Sequence, residues 1–364
     1  MKIGISTRGL NQGSYAISTI ILSLTQAIIA LAPDDLEIYL YLNDPAYETH
    51  FASAACKRSI KLNSRLLWDH TWLPRALKKD GVEIAFFMKG TLPLSLPCKG
   101  AVIFHDLGYF DKVLKPYKWF DTIYMKYMMT RASRKATHIF TDSEYTRQEA
   151  IRILGVDPDR TAVCYQNCSA IYKPVTGPET LAAVKTRYHL DYPFIFSPIT
   201  LSPRKNVTRI LNAFGAVKDQ IPHHLVISGG QSWGMNDLRG KIQSEIGPRL
   251  HIVGTIEEKD MPAIYSMADF TLYPSLIEGF GIPILEAFNC GCPVLTSNIT
   301  SMPEVAGESA YLVDPYDEDQ IAEGILKLGT DAKLRDELIE MGFEQAGLFS
   351  WERTAKIILE RLLD

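Results

Sequence analysis

Twice along this chain, short runs of continuous apolar residues alternate with longer stretches of helical periodicity, and no other feature constrains the fold as much. The first series runs from "KIGIST" through a helix over residues 14–32 to "LEIYLYL" from Leu36 and "VEIAFF" from Val82. It continues with "GAVIFHD" from Gly100, "THIFTDS" from Thr137 and "TAVCYQN" from Thr161. After a break the second series reads "YPFIFSPI" from Tyr192, "HHLVISGG" from His223, "LHIVGT" from Leu250, "ADFTLYP" from Ala268, "CPVLTSN" from Cys292 and "SAYLVDP" from Ser309. Strands without polar alternation are buried on both faces, and parallel sheets flanked by helices require this. At 364 residues the chain is also too long for one ordinary core. The expectation is α/β: two doubly wound domains of similar size facing across a cleft, with ligands beyond the carboxyl ends of the strands.

The expected boundaries follow the composition. Residues 1–170 form the first domain. "SAIYKPVTGPETLAAVKTRYHL" reads as a hinge leading into a helix, which sets 171–190 apart as a linker. Residues 191–345 form the second domain. The segment 346–364, with "SWERTAKIILERLLD", ends in an amphipathic helix capped by Ser350 and free to cross back to the first domain.

Hydrophobic content of 46% with 22% charged residues is that of a globular protein, not a disordered or membrane one. A net charge of −4 argues against a nucleic-acid binder, and no groove-reading helix, zinc finger or RNA-binding strand is present. "MKIGISTRGL" reaches Arg8 without a secretory core, and "AISTIILSLTQAIIALA" is interrupted by Ser, Thr and Gln, which suits a core helix better than a span. A cytoplasmic protein with reduced thiols is expected. Cys290 and Cys292 form only a C-x-C, Cys164 and Cys168 a C-x3-C, without a histidine nearby, so no metal site is expected.

Two stretches carry the chemistry. In "SPITLSPRKNVTRILNAF", Ser202-Pro203 reads as an N-cap and first helical position, which places Arg204 and Lys205 in the first turn at the positive end of the helix dipole. A bound pyrophosphate would relieve that conflict; the alternative is a pair of solvated surface cations. In "EGFGIPILE", Gly279 and Gly281 let backbone approach a ligand, and Pro283 opens a helix with Glu286 in its first turn. Local structure leaves Glu278 unexplained. Carboxylates repel phosphate but accept hydrogen bonds from adjacent hydroxyls. Two acids around a phosphate site therefore suggest a ligand with sugar hydroxyls at both ends of a pyrophosphate, a nucleotide sugar.

The ordered set of motifs is specific. E-x7-E after a strand, preceded by "SPRKN" and "GTIEEKDMPAIYSMADF", resembles the retaining family-4 glycosyltransferases of GT-B fold, in the glycosyl transferases group 1. The likeness extends to "NQGSYA", "WDHTWLP" from Trp68, "FHDLGYF" from Phe104, "TDSEYTRQEA" from Thr141 and "SNITSMPEVAGESAYLVDPYD". It implies two Rossmann-like domains, the first on the acceptor side and the second binding the donor. By the same resemblance Glu278 holds hydroxyls of the donor hexose, Glu286 binds the ribose, and Arg204 and Lys205 neutralise the departing diphosphate. Backbone amides of Phe280, Gly281 and Ile282 face the donor, Gly13 approaches it from the first domain, Ile256 bounds the base pocket, and His105 sits near the anomeric centre. For His105 a plain histidine at a strand end is the alternative. The implied reaction moves a hexose to a hydroxyl of a saccharide or lipid-linked saccharide in polysaccharide biosynthesis, with retained configuration and neither cofactor nor metal. Asp157-Pro-Asp159, a D-x-D, reads as a turn. UDP-glucose or a related UDP-hexose is the favoured donor, GDP-mannose the second. An epimerase of the same architecture and a non-catalytic sugar-nucleotide binder are the competing classes.

One further segment, "DKVLKPYKWFDTIYMKYMMTRASRKATH" from Asp111, mixes basic and aromatic residues along a helix from about residue 116. Such a helix can rest on an anionic membrane at the inner face. Packing of its aromatic face on the first domain is preferred here, because the overall charge is acidic.

Overall fold

Both apolar series fold as parallel strands with helices above and below, in a computed structural model that describes residues 1–10, 15–51, 55–62, 64–114, 117–230 and 246–364. The chain divides into two units. The first comprises Met1–Phe110, Trp119–Asn167 and Phe349–Asp364, the second Asp111–Lys118 and Cys168–Leu348.

In the first unit the strands are β1 (Lys2–Ser6), β2 (Glu37–Leu42), β3 (Cys56–Ser59), β4 (Ile84–Phe87), β5 (Lys99–Phe104), β6 (His138–Thr141) and β7 (Thr161–Val163). Their order is β3-β2-β1-β4-β5-β6-β7, with β1 pairing in parallel to both β2 and β4. The strand β3 has no counterpart among the expected ones. Its sequence, "CKRS", pairs only with β2 and alternates exposed with half-buried residues, as an edge strand kept polar against further pairing does.

Helices α1 (Tyr15–Leu31), α2 (Leu73–Asp80), α3 (Trp119–Lys135) and α4 (Glu144–Leu154) belong to this unit. Successive side chains of β4 point to opposite faces. Ile84 and Phe86 enter one core with Ile21, Leu24 and Ile28 of α1, whereas Ala85 and Phe87 enter another with Leu77, Met129 and Ala150. The expected packing of the aromatic side of α3 is corrected here. The face that packs is Met128, Met129, Ala132 and Ser133, whose short and flexible side chains fit closely on the sheet, while Trp119, Phe120, Ile123 and Tyr127 stay exposed.

The second unit holds β8 (Phe194–Pro198), β9 (His224–Ser228), β10 (Leu250–Gly254), β11 (Phe270–Tyr273), β12 (Val294–Ser297) and β13 (Tyr311–Val313), in the order β10-β9-β8-β11-β12-β13. Its helices are α5 (Pro178–Tyr188), α6 (Val207–Val217), α7 (Met261–Met267), α8 (Ile282–Asn289), α9 (Met302–Ala306), α10 (Glu318–Thr330) and α11 (Ala332–Ala346). Residues 171–190 are therefore more than a linker. They contain α5, started by Pro178, with Val184 buried and Arg187 and Tyr188 bonded to Asp260 at 2.5 and 2.9 Å.

The last helix, α12 (Trp351–Leu363), is capped by the Ser350 hydroxyl, which accepts from the amides of Glu352 and Arg353. Ala355, Ile358, Leu359 and Leu362 join the core that α1 lines in the first unit. Asp157 caps the short turn Pro158–Arg160, so the D-x-D serves a turn. Among the described residues no helix is long and apolar enough to cross a membrane.

In both sheets the strand order reverses once, between β1 and β4 and between β8 and β11. Helices leave in opposite directions at such a point and open a crevice beyond the carboxyl ends of the strands.

Candidate functional site

At the β8/β11 reversal, the residues after β8 form a tight 3-10 turn, Pro203–Lys205, and Asn206 then adopts a left-handed conformation at φ 61°. Asparagine tolerates this region better than most residues. Its side-chain amide donates to the carbonyls of Pro274 (3.1 Å) and Pro315 (2.6 Å), which locks the turn. The helix α6 starts only at Val207. Arg204 and Lys205 thus precede the helix rather than occupy its first turn, and the expected conflict with its dipole does not arise.

What the cations face instead is Glu278. The Arg204 guanidinium donates to Glu278 Oε2 at 2.9 Å, and Lys205 Nζ donates to Glu278 Oε1 at 2.6 Å. Lys205 also donates to the Tyr273 hydroxyl at 2.6 Å, and the Leu276 amide donates to the Arg204 carbonyl at 2.8 Å. The loops after β8 and β11 are therefore sewn together through both backbone and side chains. Burial alone would push the Glu278 carboxyl up; the Arg204 and Lys205 charges outweigh it and hold the group at about 2. The trio keeps one positive charge in excess, and Arg204 is its most accessible member, with 26% of its side chain exposed.

Between Glu278 and α8 the chain bends at Gly281, φ 107°, where a Cβ would stand 2.7 Å from Met302 Cε. Only glycine fits that turn without strain. Ser301 Oγ lies 3.1 Å from the Glu278 carbonyl and 2.9 Å from that of Phe280, so the loop is held from below. The side chains of Phe280 and Ile282 are buried. Any contact these two residues make with a ligand in the loop is through backbone.

Glu286 lies one turn inside α8 rather than in its first turn, because the helix begins at Ile282. The Tyr265 hydroxyl donates to its carboxylate at 2.7 Å, and Tyr172 bonds to it as well. Burial dominates these two hydrogen bonds and raises the carboxyl to about 7. The two acids of E-x7-E are thus in opposite states: Glu278 firmly ionised, Glu286 balanced near neutrality. Ile256 is buried just beyond β10. Gly13 lies outside the described residues.

His105 belongs to the first unit, one residue past β5. Its Nδ1 is 2.8 Å from Asp142 Oδ2 and its Nε2 is 2.8 Å from the Met88 carbonyl. The Met88 carbonyl can only accept, so Nε2 carries a proton; Nδ1 faces Asp142 and also lies 3.1 Å from the Gln166 side-chain amide nitrogen. Burial disfavours a charged ring; Asp142 and the Met88 carbonyl prevail and raise the His105 pKa. Gln166 donates to the same Asp142 oxygen.

Sequence reasoning missed Asp142, Tyr265, Tyr172 and Tyr273. Asp142 and Tyr265 lie inside the motif stretches "TDSEYTRQEA" and "MPAIYSMADF", but no local pattern ties either one to its partner 37 or 21 residues away. Among the described residues no group of three or more His, Cys, Asp or Glu is arranged to hold a metal ion.

Comparison with known proteins points one way. The family model described as "Glycosyl transferases group 1" matches residues 182–345. The O-antigen chain mannosyltransferase B of Escherichia coli is 33% identical over 261 residues, 70% of this chain and 67% of that protein. The serotype-specific mannosyltransferase WbdA of Escherichia coli is 27% identical over 285 residues, 73% of this chain; the match spans only 33% of that longer protein. Among solved structures, Anabaena HepE in complex with UDP and glucose superposes with a TM-score of 0.73 at 17% identity, over 100% of both chains.

Proposed function

Because the chain belongs to the group 1 glycosyltransferases, with the two Rossmann-like units of the GT-B fold, we propose that it transfers a mannosyl residue from a nucleoside-diphosphate mannose to a saccharide hydroxyl during assembly of an O-antigen-type polysaccharide. The observation that carries this reading is the pair Arg204 and Lys205, pinned at the β8/β11 reversal by one shared carboxylate. A leaving diphosphate develops charge as the glycosidic bond breaks, and fixed cations lower the barrier because they need no reorganisation at that moment. Arg204, the more exposed, meets the distal phosphate. Lys205, held by Tyr273 and Glu278, supplies a fixed field behind it. The free lone pairs of Glu278 accept hexose hydroxyls, and Glu286 accepts those of the ribose. Ile256 borders the base, and the family resemblance alone assigns His105 and Gly13 to the donor; both His105 ring nitrogens are engaged by Asp142 and the Met88 carbonyl. The transfer retains the anomeric configuration, as in glycosyltransferase family 4, and the two cations do the work that a metal does elsewhere.

Two E. coli relatives named as mannosyltransferases support mannose, and GDP is the nucleotide we assign to it. A UDP-hexose donor is the second reading, favoured by the UDP and glucose bound to the Anabaena protein of the same fold. The test is a panel of GDP-mannose, UDP-glucose and ADP-glucose, read by thermal shift and by transfer of labelled sugar to a mannose-containing oligosaccharide. We expect GDP-mannose alone to raise the melting temperature and to be consumed. A panel in which no nucleotide sugar changes either readout sinks the assignment.

The acceptor of such an enzyme is a saccharide, and a lipid-linked one brings the protein to a membrane. We assign that contact to the exposed face of α3. Trp119, Ile123 and Tyr127 recur every four residues with Phe120 beside them, and Arg134 and Lys135 are exposed in the helix's last turn. Against the acidic balance of the whole chain, the sequence of α3 holds one acid, Asp121, beside Lys126, Arg131, Arg134 and Lys135. Apolar residues inserted between headgroups, with cations alongside, suit an anionic lipid surface.

A further inference from the structure

Tyr172 stands in the stretch that the sequence marks as a hinge, yet it reaches the ribose side of the donor site. Residues 168–175 open the second unit and are tied to α7 and α8 at three places. Asn289 Nδ2 donates to Cys168 Sγ at 3.3 Å, Tyr172 bonds to the Glu286 carboxylate, and the Val175 amide donates to Ser266 Oγ at 3.0 Å. Tyr172 is 9% exposed, and its ring meets that of Tyr265 edge-on at 6.0 Å. Tyr265 is fully buried, lies edge-on to Phe196 of β8 at 5.1 Å, and donates to Glu286 Oε2 at 2.7 Å. Two phenols from separate segments thus converge on one carboxylate.

Glu278 and Glu286 differ in the partners that hold them. Two cations neutralise Glu278, whereas two neutral donors orient Glu286 and leave its charge in place. An ionised carboxylate has about four lone-pair directions, and the phenols occupy two of them. The other two suit a pair of adjacent hydroxyls, and such charge-assisted bonds are roughly twice as strong as neutral ones. Both phenols stay donors: burial and the carboxylate raise their pKa values, so each keeps its proton. Three other kinds of group surround Glu286. Glu258, ahead of α7, raises its pKa, and Lys205, after β8, lowers it. The thiols of Cys168 and Cys290 are kept protonated by burial. A clasp between hinge and helix would need only one hydroxyl and one neutral acceptor.

We propose that Tyr172 is a positioning residue for donor recognition: with Tyr265 it holds the Glu286 carboxylate as the acceptor of the adjacent 2′ and 3′ hydroxyls of the donor ribose. This rests on the ribose role given to Glu286 above. The donor is then selected for an intact ribose diol, whichever base and hexose it carries. The side chain that completes the selection comes from the segment that enters the second unit.

The test is Tyr172→Phe in the full chain, which keeps the ring and removes only the hydroxyl. Both phenol bonds favour ionised Glu286, so losing one moves its titration upward, by about one pH unit. Donor KM and kcat are measured from pH 6 to 9 with GDP-mannose, or with UDP-glucose where the thermal-shift panel selects it. We expect the KM of Tyr172→Phe to stand about fivefold above that of the unaltered protein at pH 7. At pH 9 it should recover to within about twofold, with kcat changed by less than about twofold throughout. Tyr265→Phe should follow the same course, and it carries the test where Tyr172→Phe does not fold. A residue that only packs would raise KM equally at both ends of the range, or lower kcat and the melting temperature without moving the profile; either result overturns the proposal. Glu286→Gln separates this inference from the reading beneath it. A KM that still varies with pH in Glu286→Gln removes the ribose role, and the proposal with it. A KM that is flat in Glu286→Gln but unmoved in both phenylalanine variants overturns the positioning role alone.

Discussion

Glu278 sits between two cations and pairs with both. Replacing it by glutamine leaves Arg204 and Lys205 repelling each other in a largely buried place. Breaking a buried pair from one side costs roughly 3–5 kcal/mol. Glu278→Gln should therefore lower the urea midpoint clearly and reduce kcat by about 100-fold or more; a variant with unchanged stability and turnover would remove Glu278 from the site. Its carboxyl is held at about 2, below the ordinary 4.5, so its contribution is present above pH 4.5 and is lost as pH falls toward 2. Glu286 has the opposite sign. Its carboxyl is raised to about 7, so the folded state favours the neutral form, and stability from it is present below pH 4.5 and lost as pH rises through 7. Ribose hydroxyls bind the ionised form better. The donor KM should fall as pH rises from 6 to 8, and Glu286→Gln should flatten that profile; equal profiles in the two proteins would rule Glu286 out as the ribose group. Sequence alone brought Glu278, Glu286, Arg204 and Lys205 into one site because each follows a strand of the same sheet. It could not show that Glu278 spends its charge on the two cations, since that contact joins residues 73 and 74 positions apart.

Elements differ in how plainly they are written. The strands whose centres are apolar on both faces all stand out in the sequence, and β3 does not, because an edge strand carries charge by design. Ser202-Pro203 imitates a helix cap and sets the expected start of α6 a few residues early, whereas Asn206 in its left-handed conformation sets the true beginning. For α3 the composition was legible and the orientation was not. Trp and Phe are commonly core residues, yet here methionine and alanine face the sheet and the large rings face solvent. This leads to a vesicle test. Trp119→Ser with Phe120→Ser should abolish most sedimentation with vesicles containing about 30% anionic lipid, and 0.5 M salt should weaken binding of the unaltered protein. Sedimentation that is equal on neutral and anionic vesicles, or unaffected by the two substitutions, would leave α3 without that role.

The molecule as a whole repeats one plan twice: a doubly wound sheet with one reversal of strand order. The two copies differ in how the chain completes them. Unit two is continuous from Cys168 to Leu348 apart from its short excursion at Asp111–Lys118. Unit one needs α12, whose Ala355, Ile358, Leu359 and Leu362 cover Ile21, Leu24 and Ile28 on α1. Each aliphatic side chain buried there contributes about 1.5–3 kcal/mol, a large share of the stability of any domain. Removal of residues 349–364 should therefore accelerate hydrogen exchange in β1 to β7 while β8 to β13 keep their protection; equal protection of both sheets in the shortened chain would contradict this. Synthesis adds an order to the same fact. At about 5–20 residues per second, roughly 10–40 s separate the last residue of the first sheet from the arrival of α12. Through that interval the oldest part of the nascent chain lacks the helix that covers α1, whereas the second unit, complete at Leu348, has every segment it needs before α12 is made. The domain started first is the one finished last.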